Sequence, residues 1–149
     1  MIVLGSDHVG YTLKTIVMEY FDKNGIAYID AGFNENEKGD YPVAGLRAAK
    51  MIISGKAEKG ILFCGTGIGI SIAANKEKGI RCAVCSEPYS SRLSKEHNDS
   101  NMLALGARVV GSELALDIVR AWLDAEFEGG RHAKRVDQIS DIENGLDLE

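Results

Sequence analysis

A glycine-rich segment that follows a short apolar run is the part of the sequence best suited to chemistry. It reads Cys64-Gly65-Thr66-Gly67-Ile68-Gly69, directly after a predicted buried strand over Gly60–Cys64. Glycines leave the backbone N–H groups free to turn toward one point, and the start of the following helix adds partial positive charge. This predicts a cradle for an oxyanion, with a tight turn that binds nothing as the alternative. The segment is neither a P-loop nor a dinucleotide fingerprint, because it lacks Gly-Lys-Ser/Thr and has Ile70 in place of the third glycine.

Cys64 lies at the end of that strand, directly before the glycines. A helix N-terminus favours the thiolate over the thiol, and a thiolate can act as a base or a nucleophile. The alternative is a buried cysteine that serves as a small apolar residue. Cys82 and Cys85 form a C-x-x-C pair, but residues three apart on a strand point to opposite faces and no second pair has zinc spacing. We therefore predict no metal or redox role for that pair.

Three other segments carry side chains for acid–base chemistry or anion binding. Asp7 and His8 follow the first apolar run and can hold hydroxyl groups or move protons; alternatively, the aspartate caps a helix. The run from His97 to Asn101 offers another histidine, although its Asn and Asp residues also suit a plain turn. Arg131 and Arg135 would share one face of a helix and grip one phosphate, with a solvated basic turn as the alternative.

The elements that must position these residues follow from the apolar pattern. Strands are predicted over 2–4, 26–29, 60–64, 81–85 and 102–105, with Val109-Val110 as the alternative for the last. Helices are predicted over 11–24, 40–54, 69–76, from 86 or 88 to 96, 114–127 with Ser112 as its cap, and 136–144. This alternation indicates an α/β fold, a three-layer Rossmann-like α/β/α sandwich with a five-stranded parallel sheet. Ligands of such sheets bind at the carboxyl ends of the strands, where Asp7 and Cys64 fall.

Length, charge and cysteine content limit the classes of protein. The 149 residues predict a single domain over 1–149. A net charge of −5 without a basic stripe disfavours nucleic-acid binding. No apolar run approaches the ~18 residues of a membrane span. The three cysteines, with no recognisable export signal, lead us to expect a cytoplasmic protein.

Taken together, the order and spacing of the motifs resemble the type B ribose-5-phosphate isomerases, a family that includes the galactose-6-phosphate and allose-6-phosphate isomerases. The resemblance covers nearly the whole chain. The segments that carry it are Gly5-Ser6-Asp7-His8, Asp40-Tyr41-Pro42, Cys64–Ser71, Ala73-Ala74-Asn75-Lys76, Glu96-His97-Asn98-Asp99, Gly106-Ala107-Arg108 and Gly129-Gly130-Arg131-His132. Val9 departs from the family pattern, which has Gly or Ala there, and alters packing near the sugar without removing a chemical group.

This resemblance implies an aldose–ketose isomerase that works through a cis-enediolate without a metal or cofactor. Cys64 is then the base, Thr66 assists it, and the Gly65–Gly69 amides stabilise the enediolate oxygen. His97, supported by Asp7, opens the furanose ring. The residues expected to bind the sugar or its phosphate are Asp7, His8, Tyr41, Gly65, Thr66, Gly67, Ile68, Gly69, Asn98, Arg108, Arg131 and Arg135.

The resemblance also implies a homodimer or tetramer with active sites at the subunit interface, the tail of about 128–149 packing on the partner. The expected reaction interconverts ribose 5-phosphate and ribulose 5-phosphate, in the pentose phosphate pathway. Three alternatives stay open. They are an isomerase of a six-carbon sugar phosphate such as allose 6-phosphate or galactose 6-phosphate, a non-catalytic phosphosugar-binding protein that would not require Cys64, and a nucleotide-binding module that holds a ribose through Asp30.

Overall fold

A computed structural model describes residues 1–149 as five strands and six helices. The strands are β1 (Ile2–Ser6), β2 (Tyr28–Asp30), β3 (Lys59–Cys64), β4 (Cys82–Val84) and β5 (Met102–Gly106). The helices are α1 (Tyr11–Lys23), α2 (Tyr41–Ile53), α3 (Ile68–Ala74), α4 (Pro88–Asn98), α5 (Ser112–Asp124) and α6 (Arg131–Glu143). All strand pairs are parallel, in the order β2-β1-β3-β5-β4. The predicted α/β fold with a five-stranded parallel sheet is confirmed.

Both faces of the sheet are covered, which explains why its central strands are apolar almost throughout. On one face, Phe63 and Leu105 pack with residues of α1 and α5, including the fully buried Trp122. On the other face, Leu62 and Ala104 pack with residues of α2 and α3. Helices therefore form the two outer layers and the sheet the middle one. None of the helices combines the length and apolar character needed to cross a lipid bilayer.

Several predicted boundaries differ from those of the structure. Strand β2 begins two residues later than predicted, at Tyr28. Helix α5 starts at Ser112 and ends at Asp124, because Ala125 is already extended; Ser112 lies inside the helix, and the predicted cap is wrong since Gly111 is the N-cap. Helix α6 begins at Arg131 rather than Val136, so the basic turn weighed as an alternative is helical. The last strand is 102–106, and the Val109-Val110 alternative is wrong.

The two edges of the sheet set the positions of the candidate residues. In the register of β3 with β5, Gly60 pairs with Met102 at the amino edge and Cys64 pairs with Gly106 at the carboxyl edge. At about 3.3 Å per residue, these edges are about 13 Å apart. Helix α4 leads back from the carboxyl end of β4 to the amino end of β5, so its last residues lie at the amino edge.

Candidate active site

A cavity of about 370 Å³ opens at the carboxyl edge of the sheet, beside the glycine-rich segment. We call it the cysteine half-site. Its lining residues are Asp7, Val9, Tyr41, Cys64, Gly65, Thr66, Ile68, Gly69 and Arg108. All nine come from segments at or near the carboxyl ends of β1, β2, β3 and β5, the edge at which parallel sheets bind ligands.

Cys64 is the reactive group at the wall of this cavity. Its residue is 3% exposed, and its Sγ accepts a hydrogen bond from the Gly67 amide at 3.1 Å. An N–H donor aimed at a sulfur atom can stabilise negative charge that develops on it.

The glycine-rich segment takes its shape from close backbone contacts. Gly67 has φ +79°, and a Cβ added there would lie 2.9 Å from the carbonyl carbon of Leu105. A Cβ added at Gly69 would lie 2.6 Å from the ring of Tyr41. The Tyr41 ring therefore lies directly against the segment, in the wall of the cysteine half-site.

Some amides of this segment are used by hydrogen bonds within the segment, and others are left for a ligand. The Gly67 amide is used by Cys64 Sγ, and the Ile68 amide donates to Thr66 Oγ1 at 3.2 Å. Because Oγ1 accepts that hydrogen bond, the Thr66 hydroxyl proton is available to a ligand. Gly69 is the second residue of α3, where the amide has no carbonyl partner within the helix. The anion cradle thus rests on fewer amides than Gly65–Gly69 as a set.

Asp7 and Arg108 complete this half-site. Asp7 is 6% exposed, and its Oδ1 accepts from the Gly10 amide at 2.8 Å. Gly10, not Asp7, is the N-cap of α1, so Asp7 braces the turn before the helix while it lines the cavity. A methyl group added at Gly65 would lie 3.7 Å from Arg108 Nη1. His8 is exposed in the loop that holds Asp7.

The remaining predicted residues gather at a second place, which we call the histidine half-site. Its members are His97, Asn98, Arg131, His132 and Arg135. His97 and Asn98 form the last turn of α4, and both arginines are exposed near the start of α6, four residues apart as predicted. The rings of His97 and His132 stack with centroids 4.1 Å apart and planes at 10°. The stack and a hydrogen bond from the Glu128 amide to the Glu96 carbonyl, 3.0 Å long, hold the two helix ends together.

The sequence places His132 directly after Arg131 but does not reveal that its ring stacks on His97. The residues are distant along the chain, and only the tertiary packing of α6 on α4 brings them together. His97, His132 and Glu128 carry donor atoms within 4.8 Å of one another, a separation at which metals bind. Parallel rings, however, direct their in-plane lone pairs side by side rather than toward one ion, so these donors do not form a metal centre in this arrangement.

The two half-sites do not meet within one chain. The cysteine half-site lies at the carboxyl edge, whereas His97 and Asn98 lie beyond the amino end of β5, across the ~13 Å length of that strand. Asp7 and His97, expected to cooperate in ring opening, are thus on opposite edges of the same sheet.

Cys82 and Cys85 lie on opposite faces of the sheet, as predicted. Cys82 packs with the α2–α3 side and Cys85 with the α1–α5 side. Burial raises the pKa of both thiols, that of Cys85 to about 11. Both are therefore protonated at neutral pH, and neither lines the cysteine half-site.

Comparison with known proteins places this geometry in a family. Residues 2–139 match the family model described as Ribose/Galactose Isomerase. Ribose-5-phosphate isomerase B of Escherichia coli is 53% identical over 142 residues, 95% of each chain. D-erythrulose-4-phosphate isomerase of Pectobacterium atrosepticum is 42% identical over 144 residues, 96% of this chain and 95% of that one.

A solved structure resembles this chain in both fold and sequence. Ribose-5-phosphate isomerase B of Clostridium thermocellum superposes with a TM-score of 0.94 at 56% identity, covering 97% of each chain. The matches extend over nearly the full length of these proteins and include both half-sites. The chain belongs to the ribose/galactose isomerase family of sugar phosphate isomerases.

Proposed function

We propose that the protein interconverts ribose 5-phosphate and ribulose 5-phosphate, with Cys64 as the base. The observation that carries this proposal is the Cys64 sulfur at the wall of a cavity, 3.1 Å from an amide donor and next to a hydroxyl whose proton is free. Relatives named for this activity, at 53% and 56% identity, support the choice of reaction. A non-catalytic phosphosugar-binding protein would not need this arrangement around a sulfur.

The proton transfer follows from these contacts. The Cys64 thiolate removes the proton from C2 of the open aldose, and the electron pair shifts through the C1–C2 bond so that O1 becomes negative. The Thr66 hydroxyl and the Gly69 amide stabilise this cis-enediolate, a type of stabilisation in which one donor contributes ~10²–10³ in rate. The Cys64 thiol then returns the proton to C1, while the hydroxyl proton of O2 moves to O1.

Ring opening and phosphate binding are assigned to residues of both half-sites. His97 moves the proton that opens the furanose ring, with Asp7 in support, and Asn98 and Arg108 contact the sugar or phosphate. Arg131, Arg135 and His8 hold the phosphate, because two guanidinium groups one helical turn apart suit its oxygens. This binding lies away from C1 and C2, where it fixes orientation.

The separation of the half-sites supports a homodimer whose active sites each combine residues of two subunits. Exposed apolar side chains lie on the elements that carry the two halves, and groups of such side chains mark interaction surfaces when they are contiguous. Beside the cysteine half-site these are Val43, Leu46, Ile68 and Ile72, and on the tail they are Ile139, Ile142, Leu146 and Leu148. We propose that the tail of about 128–149, within a single domain spanning 1–149, packs on the partner subunit through the latter group.

The choice of a five-carbon sugar rests on the names of the relatives. Val9 and Tyr41 line the cavity beside Cys64, where the sugar carbons would lie. The relative named for D-erythrulose 4-phosphate makes a four-carbon substrate the second candidate. Values of kcat/KM for erythrose 4-phosphate, ribose 5-phosphate and allose 6-phosphate, measured side by side, decide among them. We expect ribose 5-phosphate to be preferred, in a cytoplasmic enzyme of the pentose phosphate pathway.

The direct test is conversion of ribose 5-phosphate by the purified protein. We expect ribulose 5-phosphate to form at a rate that EDTA leaves unchanged. Cys64→Ala should lower kcat by about 10²–10⁴, the range of a lost general base, while substrate binding measured by calorimetry persists. Cys82→Ala, which removes a thiol outside the cysteine half-site, is the matched control and should stay active. Full activity of Cys64→Ala would assign the base to another residue.

A further inference from the structure

We propose that Arg81 is a positioning residue for ring opening: its guanidinium fixes the end of α4 that carries His97 and Asn98. The role in ring opening rests on the proposed function. The contacts that Arg81 makes are observed in the structure and do not depend on that function. Arg81 lies just before β4, outside both half-sites, and no motif in the sequence singles it out.

Arg81 makes four hydrogen bonds to the two residues that follow His97. Its Nε donates to the carbonyls of Asn98 at 3.1 Å and Asp99 at 3.0 Å. One terminal nitrogen donates to the Asp99 carbonyl at 2.8 Å and to the Asp99 carboxylate at 3.1 Å. The carbonyls at a helix C-terminus have no partner within the helix, so a forked cation satisfies them and complements the helix dipole.

Asp99 shows that this helix end needs to be held. It is the C-cap of α4 and the only residue other than glycine with positive φ, at +46°. Left-handed backbone is unfavourable for a residue with a Cβ and persists where its surroundings enforce it. The second oxygen of its carboxylate accepts from Lys95 Nζ at 2.6 Å, so two cations from different elements hold one residue.

The platform beneath Arg81 is rigid. Its own amide donates to Asn101 Oδ1 at 2.8 Å, and its carbonyl accepts from the Asn101 and Met102 amides at 3.1 and 3.2 Å. Below the helix end, buried Ser100 Oγ bonds to Ser94 Oγ at 2.9 Å and accepts from Trp122 Nε1 at 2.8 Å. The guanidinium thus ties the end of α4 to the sheet, rather than to another mobile surface group.

Two sets of contacts therefore position different parts of His97. The stack with His132 fixes the imidazole from the side of α6, and Arg81 fixes the backbone from which the imidazole projects. Loss of the Arg81 contacts should let the last turn of α4 fray. His97 would then miss the ring oxygen, while the cysteine half-site at the other sheet edge stays intact.

Hydrogen exchange tests whether Arg81 holds the end of α4, and it does so without an activity assay. We call the Arg81 hydrogen bonds to Asn98 and Asp99 the clamp. The amides of Asp99 and Ser100 donate to the carbonyls of Lys95 and Ser94 at 3.1 and 3.0 Å. In Arg81→Ala we expect these two amides to exchange at least about tenfold faster than in the wild type, as expected for local opening. Arg81→Lys should give an intermediate rate. The control is Arg120→Ala, an exposed arginine that pairs with Asp117 on α5, and it should leave the exchange unchanged. Wild-type exchange in Arg81→Ala would overturn the clamp.

A double-mutant cycle tests whether Arg81 acts through His97. With ribose 5-phosphate we expect Arg81→Ala to lower kcat by about 10–100-fold, the cost of a misplaced catalytic group, and Arg81→Lys to restore part of it. In a His97→Asn background, the same Arg81→Ala change should lower kcat by less than about twofold, because the two residues share one task. Equal losses in both backgrounds would show that Arg81 acts elsewhere and overturn the assignment. If the wild type converts no ribose 5-phosphate, the proposed function fails, while the exchange rates still decide the clamp.

Discussion

At the residue scale, the three cysteines of the chain differ in their burial, their hydrogen-bond partners and their access to a cavity. Cys64 has an amide donor on its sulfur and a cavity beside it. Cys82 is the first residue of β4 and Cys85 directly follows that strand, and burial raises the pKa of both thiols and keeps them neutral. Under the proposed function, the loop after β3, rather than the strand itself, suits Cys64 to act as the base.

These raised pKa values predict alkaline destabilisation. A thiol of the unfolded chain releases its proton near pH ~8.5, whereas folded Cys85 keeps its proton until about 11. Above pH ~8.5 the unfolded state therefore binds fewer protons than the native state, and the free energy of unfolding falls as pH rises. The contribution of Cys85 to the free energy of unfolding is fully present below pH ~8.5 and is lost as the pH rises toward the pKa of the folded state.

The measurement is the midpoint of thermal unfolding between pH ~8 and ~10.5, compared for the wild type and Cys85→Ala. We expect the wild-type midpoint to decline more steeply than that of the variant, because the variant has lost one of the titrating thiols. Parallel curves for the two proteins would show that Cys85 does not contribute to the pH dependence.

At the element scale, the connection from β3 to α3 determines the cysteine half-site. It needs a left-handed residue, Gly67, in close contact with the backbone of β5, and it places Gly69 against the Tyr41 ring. The shape of the cavity thus depends on backbone of one element pressed against another. Side chains at these two positions would disturb the site before they met any substrate.

A matched pair of glycines tests this dependence. Gly25 and Gly67 both have positive φ, but a Cβ at Gly25 would meet nothing within 4 Å, whereas one at Gly67 would meet Leu105 at 2.9 Å. Gly25→Ala should cost only the backbone strain of about 1–2 kcal/mol. Gly67→Ala should cost about 1–3 kcal/mol more for overpacking and should also lower kcat. Denaturant unfolding measures both losses, and equal losses at the two sites would contradict the role of close packing.

The same scale shows what could be predicted from the sequence. The apolar runs indicated every strand, and the spacing of glycines and Cys64 located the cysteine half-site, because both signals are local. Helix α6 starts earlier than predicted, since charged residues at 131–135 resemble a loop unless the packing of His132 on His97 is known. Arg81 was missed for the same reason: its partners lie across the fold, and only the tertiary structure brings them together.

At the scale of the whole molecule, the topology separates Cys64 from His97, the residues to which the proposed function assigns proton transfer and ring opening. Cys64 lies at the carboxyl edge of the parallel sheet. Helix α4 runs back toward the amino edge, so His97, near its end, lies at that edge. A second copy of the chain can supply the missing half to each site, and twofold symmetry then builds two equivalent sites. Under the proposed function, the chemistry therefore requires a dimer.

Co-expression of two inactive variants tests this requirement most directly. One chain carries Cys64→Ala, the other carries Arg131→Ala with Arg135→Ala, and different affinity tags allow the mixed dimer to be isolated. Such a dimer holds one site with both halves intact, so we expect about half of the wild-type activity per dimer, although each parent homodimer is inactive. A mixed dimer as inactive as its parents would show that each active site is built from a single chain and would contradict the shared site.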